Sequence, residues 1–221
     1  MTLYFDTTDG PLEIDPARCV VAGWTGRDEA AVRHHIEELE AIGVPAPSRT
    51  PLPYEVSPAL LTQGSTIHCV GAASSGEAEP AILFAGGKRF LTLASDHTDR
   101  ALEAHSVALS KQICAKPIAR GAWRLDDLAG RADALTLSSA IEEDNGWTEY
   151  QRGTLAAMLP LDEIVAASGL DGSVDAVLLC GTLPAIGGVR AATAMRMALG
   201  DPLEGRTIEL SYRTNVLPEA A

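Results

Sequence analysis

Glu77 and Glu79 stand two residues apart at the head of the apolar run Ala81-Ile82-Leu83-Phe84. A short apolar run of this kind reads as a buried strand, and in a strand residues i and i+2 share a face. The chain must therefore carry two carboxylates side by side where a core strand begins. Like charges at that spacing repel, and unpaired charge at the edge of a core is costly. A cation between them removes both costs. Asp96 ends the next apolar stretch, Phe90–Ala94, after the Gly86-Gly87 turn signal of a hairpin. Three carboxylates make the all-oxygen donor set preferred by hard divalent ions, Mg2+ first and Mn2+ or Ca2+ behind it. With Lys111 nearby in sequence, the set reads as a metal-dependent active site rather than a salt-bridged surface.

Composition narrows the partners. The chain has 221 residues, 46% of them hydrophobic, enough for one large domain with a full core. Its net charge of −13 argues against nucleic acid and anionic membrane surfaces, both of which need basic patches. No apolar run approaches bilayer-spanning length. Met1 precedes Thr2-Leu3-Tyr4-Phe5-Asp6, which has neither the basic nor the apolar region of a signal peptide. Cys19, Cys69, Cys114 and Cys180 form no metal-binding spacing and read as buried free thiols. A soluble, cytoplasmic protein is expected.

Along the chain, residues 1–22 read as short strands broken by Asp9-Gly10-Pro11. Thr25–Ile42 has helical spacing of Ala31, His35, Leu39 and Ile42, with Thr25 or Asp28 as cap and Gly43 and Pro45 as stop. A Pro-rich extended stretch runs to Pro58. Strands follow at Thr66–Val70, Glu77–Phe84 and Phe90–Ala94, then a helix over 97–114 capped by Asp96 or Thr98. Asn145-Gly146 signals a hairpin between Ala134–Ile141 and Trp147–Gln151. Pro160–Ser168 reads as a short helix. Strands and Gly-rich turns alternate over 176–180, 182–188, 195–199 and 207–212. The fold class is α+β and strand-rich, in a single domain spanning 1–221.

Six segments resemble, in order, the fumarylacetoacetate hydrolase superfamily. Gly76–Leu83 is similar to its metal-binding strand, E-x-E-L-A-V-V-I. Ser95-Asp96-His97-Thr98-Asp99-Arg100 is similar to N-D-x-S-A-R, and Lys111 with Pro117 and Trp123 to the lysine ahead of P-x-G-P-W. Tyr150–Thr154 resembles a Q-D-G-N-T turn, and Cys180–Gly187 the loop T-G-T-P-x-G-V-G. Ala22-Gly23-Trp24 with His35–Leu39 resembles G-x-N-Y-x-x-H-x-x-E-L. The wording of 95–100, 110–117 and 181–188 resembles a bacterial branch filed as domain of unknown function 2848.

The resemblance implies a mixed β roll or sandwich with short peripheral helices and a lid helix within 24–45. It implies Glu77, Glu79 and Asp96 as metal ligands and His35 with Glu38 as a dyad that activates water. Lys111 is implied as the cation that stabilises an enolate, and Arg100, Glu103, Gly181 and Thr182 as substrate contacts. The implied reaction is hydrolytic C–C cleavage of a 1,3-dicarbonyl or acylpyruvate through a metal-stabilised enolate. Decarboxylation, isomerisation or hydration of a 2-oxo acid is the alternative at the same site, and a non-catalytic metal- or metabolite-binding protein is the alternative of another class. A homodimer is implied as well. Spacing leaves two rivals open: His34 with Glu37 for the dyad, and Lys116 for Lys111. His68, His97 and His105 are read as structural. Glu103 departs from a family amide, and a carboxylate there would repel an anionic ligand unless paired.

Overall fold

The computed structural model describes residues 1–41, 46–144 and 146–220, apart from the side chains of His35, Glu38 and Leu39. Two curled sheets carry the chain. The larger has eight strands in the order Gly10–Ile14, Leu3–Thr7, Gly121–Arg124, Lys88–Ser95, Ala78–Ala85, Ala176–Leu179, Arg18–Gly23 and Leu52–Val56. Its first and third strands in chain order pair in parallel with Gly121–Arg124 and Ala176–Leu179, while the remaining pairs are antiparallel. The smaller sheet runs Gly146–Thr154, Thr136–Glu143, Ala194–Asp201, Arg206–Leu217 and Thr66–Val70.

The hairpin Ala78–Ala85 with Lys88–Ser95 is the centre of the larger sheet, and its two faces feed two different cores. Ala78, Ile82, Phe84, Leu91 and Leu93 pack in the core that also takes in the five-stranded sheet. Ala81, Leu83, Ala85, Phe90 and Ala94 point the other way, onto Leu3, Phe5, Cys19 and Val21. Strand alternation then decides where the polar residues at the hairpin's open end go. Ala78 pairs with Ser95, and the Asp96 N–H donates to the Glu77 carbonyl at 3.0 Å, so Glu77 and Asp96 face each other. Glu77, Glu79 and Asp96 continue the parity of the second core. Ser95 and His97 continue the parity of the first.

The helix expected over Thr25–Ile42 forms at Glu29–Ala41. Asp28 is its cap, accepting from the Ala30 and Ala31 N–H groups at 2.9 and 3.1 Å. Ile42 lies outside the described residues. None of the helix side chains that are described is buried. The helix expected over 97–114 is instead two, Arg100–Glu103 and Val107–Gln112, capped by Asp99 and Ser106. Asp96 and Thr98 are not caps: the Asp96 side chain is taken by lysines, and Thr98 bonds the Asp96 carbonyl at 3.2 Å. Leu161–Ser168 is helical, ending at Gly169 with φ 73°, which favours glycine. Residues 182–188 form a loop without regular structure up to a turn at Gly187. All four cysteines are free and buried. No helix among the described residues is long and apolar enough to cross a membrane.

One ion-pair cluster braces the smaller sheet. Asp201, 1% exposed, accepts from Arg131 at 2.8 Å on both oxygens and from Arg206 at 3.1 Å. Burial alone would raise its carboxyl, but Arg206 and then Arg131 outweigh that and lower it. A depressed value stabilises the fold above the ordinary carboxylate range and loses that contribution as pH falls through the depressed value. Asp201→Asn should therefore cost about 1–3 kcal/mol at pH 7 in urea unfolding. The gap to wild type should close in acid, below about pH 4.

Candidate metal centre

Each ligand position follows from the hairpin's parity and open end. One oxygen from each of Glu77, Glu79 and Asp96 lies within 4.8 Å of the others. Asp96 is fully buried and Glu79 nearly so, while Glu77 is partly open to solvent. The Gly181 N–H donates to Glu79 Oε2 at 2.8 Å, fixing that carboxylate from the neighbouring strand's end. Burial first, then the Asp96 charge, pushes the Glu79 carboxyl well above its ordinary range. This is the electrostatic load that a cation would remove.

Two ammonium groups converge on Asp96. Lys111 Nζ donates to Oδ2, and Lys116 Nζ lies 3.1 Å from Oδ1. Lys116 is wholly buried and donates at 2.6 Å to the carbonyls of His97 and of Lys111 itself. It thus ties the ligand segment to the helix that presents Lys111. Burial opposes ionisation of Asp96, yet Lys111 and Lys116 together hold its carboxyl below the ordinary range. Burial likewise works against the Lys111 ammonium, but Asp96, Glu77 and Glu79 keep it charged and raise its pKa. The Lys111 ammonium also stands 5.8 Å over the Tyr54 ring, whose hydroxyl accepts from the Trp24 indole at 3.3 Å. Trp24 has φ 61°, a left-handed conformation rare for a bulky residue.

At the rim, Arg100 is held by its own chain. Its Nε donates to Ser75 Oγ at 2.8 Å, Nη1 to Glu103 at 2.9 Å and Nη2 to the Ser75 carbonyl at 3.3 Å, with Glu77 Oε1 3.4 Å from Nη2. Behind the site, Gln151 clamps strand to loop. Its oxygen accepts from Ala78 N–H at 2.9 Å and Ser139 Oγ at 2.7 Å, while its nitrogen donates to the Leu183 carbonyl at 2.8 Å. The Thr182 hydroxyl donates to the Ala78 carbonyl at 2.8 Å. On the sheet's other face, Ser74, His97, Tyr212 and Ser95 form a buried chain of hydrogen bonds at 3.0, 2.9 and 2.8 Å. His97 therefore sits behind Asp96, not beside the metal ligands.

The residues fit a hard divalent ion. The donors are all oxygen, they are mutually within reach, and Asp96 Oδ1 is a buried oxygen that makes no regular hydrogen bond and has the Lys116 ammonium 3.1 Å away. A family model described as a protein of unknown function, DUF2848, matches residues 22–212. The chain belongs to this family. Among curated proteins no sequence match is found for this DUF2848 chain. Its solved structural neighbours include a 2-keto-3-deoxy-D-arabinonate dehydratase complexed with magnesium and 2,5-dioxopentanoate, at 14% identity and TM-score 0.64 over 95% of this chain and 78% of that one. A candidate fumarylpyruvate hydrolase from Burkholderia cenocepacia aligns at 13% identity and TM-score 0.65, over 99% and 96%. A 5-carboxymethyl-2-hydroxymuconate delta-isomerase from Mycobacterium smegmatis aligns at 13% identity and TM-score 0.60, over all of both chains. At such identities the likeness is one of fold, and it bears out the fumarylacetoacetate hydrolase-like architecture for this DUF2848 member.

Of the residues singled out from sequence, the structure gathers Glu77, Glu79, Asp96, Lys111, Arg100 and Glu103 into one site. It places both rival lysines, Lys111 and Lys116, on Asp96. Gly181 and Thr182 are at the site with their donors spent on Glu79 and Ala78. The His35 and Glu38 side chains lie outside what is described, and His34 and Glu37 are exposed on the same helix. Gln151 was missed as a clamp. Its signal was present, a buried-strand glutamine within the segment resembling a family turn.

Proposed function

We propose that this chain is a metal-dependent enzyme that cleaves a C–C bond of an acylpyruvate-like 1,3-dicarbonyl by hydrolysis. The observation that carries the reading is the gathering of Glu77, Glu79 and the buried Asp96, one oxygen of each within 4.8 Å of the others, with Lys111 and Lys116 both on Asp96. Glu77, Glu79 and Asp96 would hold one Mg2+ or Mn2+, which when bound supplies Lewis-acid withdrawal of electrons from the substrate's oxygens. Lys111, fixed against Asp96, stabilises negative charge developing on the enolate oxygen. Lys116 keeps Asp96 and Lys111 in place without reaching the substrate. His35, oriented by Glu38, takes a proton from water as its oxygen attacks the distal carbonyl carbon. The C–C bond breaks, its electron pair passes into the 2-oxo fragment as an enolate, and a proton returns to carbon.

The Glu29–Ala41 helix, with none of its described side chains buried, suits the lid that would bring this dyad over the site. A homodimer belongs to the same proposal and is carried by the resemblance alone. Isomerisation or dehydration at the same site is a second reading, favoured by the isomerase and dehydratase among the structural neighbours. All of these reactions share the enolate and differ in where the proton goes.

The test is metal-stripped protein given Mg2+ and 2,4-dioxopentanoate, with acetate and pyruvate measured as products. Mg2+ should raise the melting temperature and be required for equal yields of both. His35→Ala should lower the hydrolysis rate by at least about a hundredfold. A His35→Ala variant that still decarboxylated oxaloacetate at the wild-type rate would shift the reading away from hydrolysis. A metal-dependent thermal shift without turnover of any oxo acid would favour a binding protein. Absence of both the thermal shift and the turnover would sink the proposal.

A further inference from the structure

Of the three cations in the cluster Arg100 is the most exposed, and it has almost nothing left to offer an anionic group on a substrate. A guanidinium carries five N–H donors in a fixed fork. Four contacts on Arg100 are already taken by this chain: Ser75 Oγ at 2.8 Å, Glu103 at 2.9 Å, the Ser75 carbonyl at 3.3 Å and Glu77 at 3.4 Å. Bidentate capture of a carboxylate needs two parallel N–H groups, and Arg100 cannot present them without releasing Glu103 or Ser75. Ser75 is wholly buried and cannot follow, so Glu103, at the more open end of the pair, sets the outcome.

The charge count of the cluster points the same way. Glu77, Glu79, Asp96 and Glu103 provide four carboxylates against the three cations Arg100, Lys111 and Lys116. A divalent ion turns the deficit of one into a surplus of one, which a substrate with a single carboxylate neutralises. A second carboxylate would leave an uncompensated negative charge beside Glu103 in a site whose other members are mostly buried, where such charge is costly.

We infer that the site takes a 2-oxo acid bearing one carboxylate, and that Glu103, by occupying Arg100, is the specificity residue that turns away a second. This rests on the oxo-acid reading above and narrows it. The test compares 2,4-dioxopentanoate with 2,4-dioxohexanedioate, which differs by a terminal carboxylate, as ligands of the Mg2+-loaded protein. Binding is read by calorimetry on a His35→Ala background, so that turnover does not intrude. Wild-type Glu103 should favour the monocarboxylate at least tenfold. Glu103→Gln, which removes one negative charge and leaves Arg100 only a neutral, more easily displaced acceptor, should narrow that ratio about tenfold by tightening the dicarboxylate. Equal or tighter binding of the dicarboxylate with Glu103 present, or a ratio unmoved by Glu103→Gln, overturns the specificity inference alone. Binding of neither compound, with Glu103 or Gln, overturns the oxo-acid reading and the inference together.

Discussion

In metal-stripped protein, Glu79→Gln should raise the melting temperature and Asp96→Asn should lower it, although both remove a ligand of the same ion. The two carboxylates are buried to nearly the same degree and differ in what surrounds them. Asp96 is the shared counter-ion of Lys111 and Lys116. Asn in its place removes the one carboxylate that both buried ammonium groups contact, a loss of roughly 3–5 kcal/mol. Glu79 receives one N–H from Gly181 and the attraction of Lys111, but burial and the charges of Asp96 and Glu77 outweigh both. A Gln keeps an acceptor for Gly181 and removes the charge, a gain of about 1 kcal/mol. The pH dependence has a definite sign. A carboxyl whose folded value is raised favours the folded state while protonated, so its effect is most stabilising below the ordinary value of 4.5 and is lost as pH rises toward the raised one. The advantage of Glu79→Gln should therefore widen from about pH 5 upward. With Mg2+ at a hundred times its dissociation constant, wild type should gain about 2.7 kcal/mol, and both variants should lose most of it. Calorimetric melting of stripped and loaded protein between pH 5 and 8 checks all three statements. Glu79→Gln destabilising the stripped protein as strongly as Asp96→Asn would contradict the account.

The contrast marks where sequence reasoning reached and where it stopped. Two-residue periodicity sufficed for the ligands, because strand alternation places Glu77 and Glu79 on one face and the Gly86-Gly87 turn brings Asp96 opposite Glu77. Those relations are local, and local rules carry them. Lys116 was visible only as a rival to Lys111, because nothing in their spacing says that the chain turns after Gln112 and runs its next residues back under Asp96. The single helix expected over 97–114 failed for a related reason. Asp99 and Ser106 are better placed to cap than Asp96, whose side chain is engaged elsewhere, and that engagement is tertiary. Gln151 and Gly181 act across 73 and 102 residues of sequence, on Ala78 and Glu79. No periodicity links such positions; only the resemblance of their segments to a family pattern pointed toward them. The start of the exposed helix Glu29–Ala41 was legible from Asp28, while the stop expected at Gly43 and Pro45 lies outside the described residues, and the direction its histidines take relative to the site is not a property of helical spacing.

Gly181→Ala should be among the most damaging single-methyl changes in the chain, and it should strike stability and metal affinity together. Gly181 has φ 94°, which L side chains rarely adopt. A Cβ there would overlap Thr25 Oγ1 and stand 3.0 Å from Thr25 Cβ, and Thr25 is itself buried. Strain and overpacking together should cost about 3 kcal/mol or more. Gly86, with φ 54° and nothing within 4 Å of an added Cβ, is the control for backbone strain alone and should lose about 1 kcal/mol as Ala. The remainder is steric and has one named partner, so Thr25→Ala should recover part of it in the double variant, a coupling of about 1 kcal/mol or more in a double-mutant cycle. The consequence for the site follows from the same atom. The Gly181 N–H holds Glu79 Oε2, and a displaced residue 181 lets that carboxylate turn away from Glu77 and Asp96. Mg2+ affinity should fall about tenfold or more in Gly181→Ala and stay near wild type in Gly86→Ala, as ligating groups are sensitive to the bonds that orient them. Urea unfolding and Mg2+ titration of the four variants measure both effects. Loss of stability with unchanged Mg2+ affinity would show that Gly181 shapes the loop without orienting Glu79.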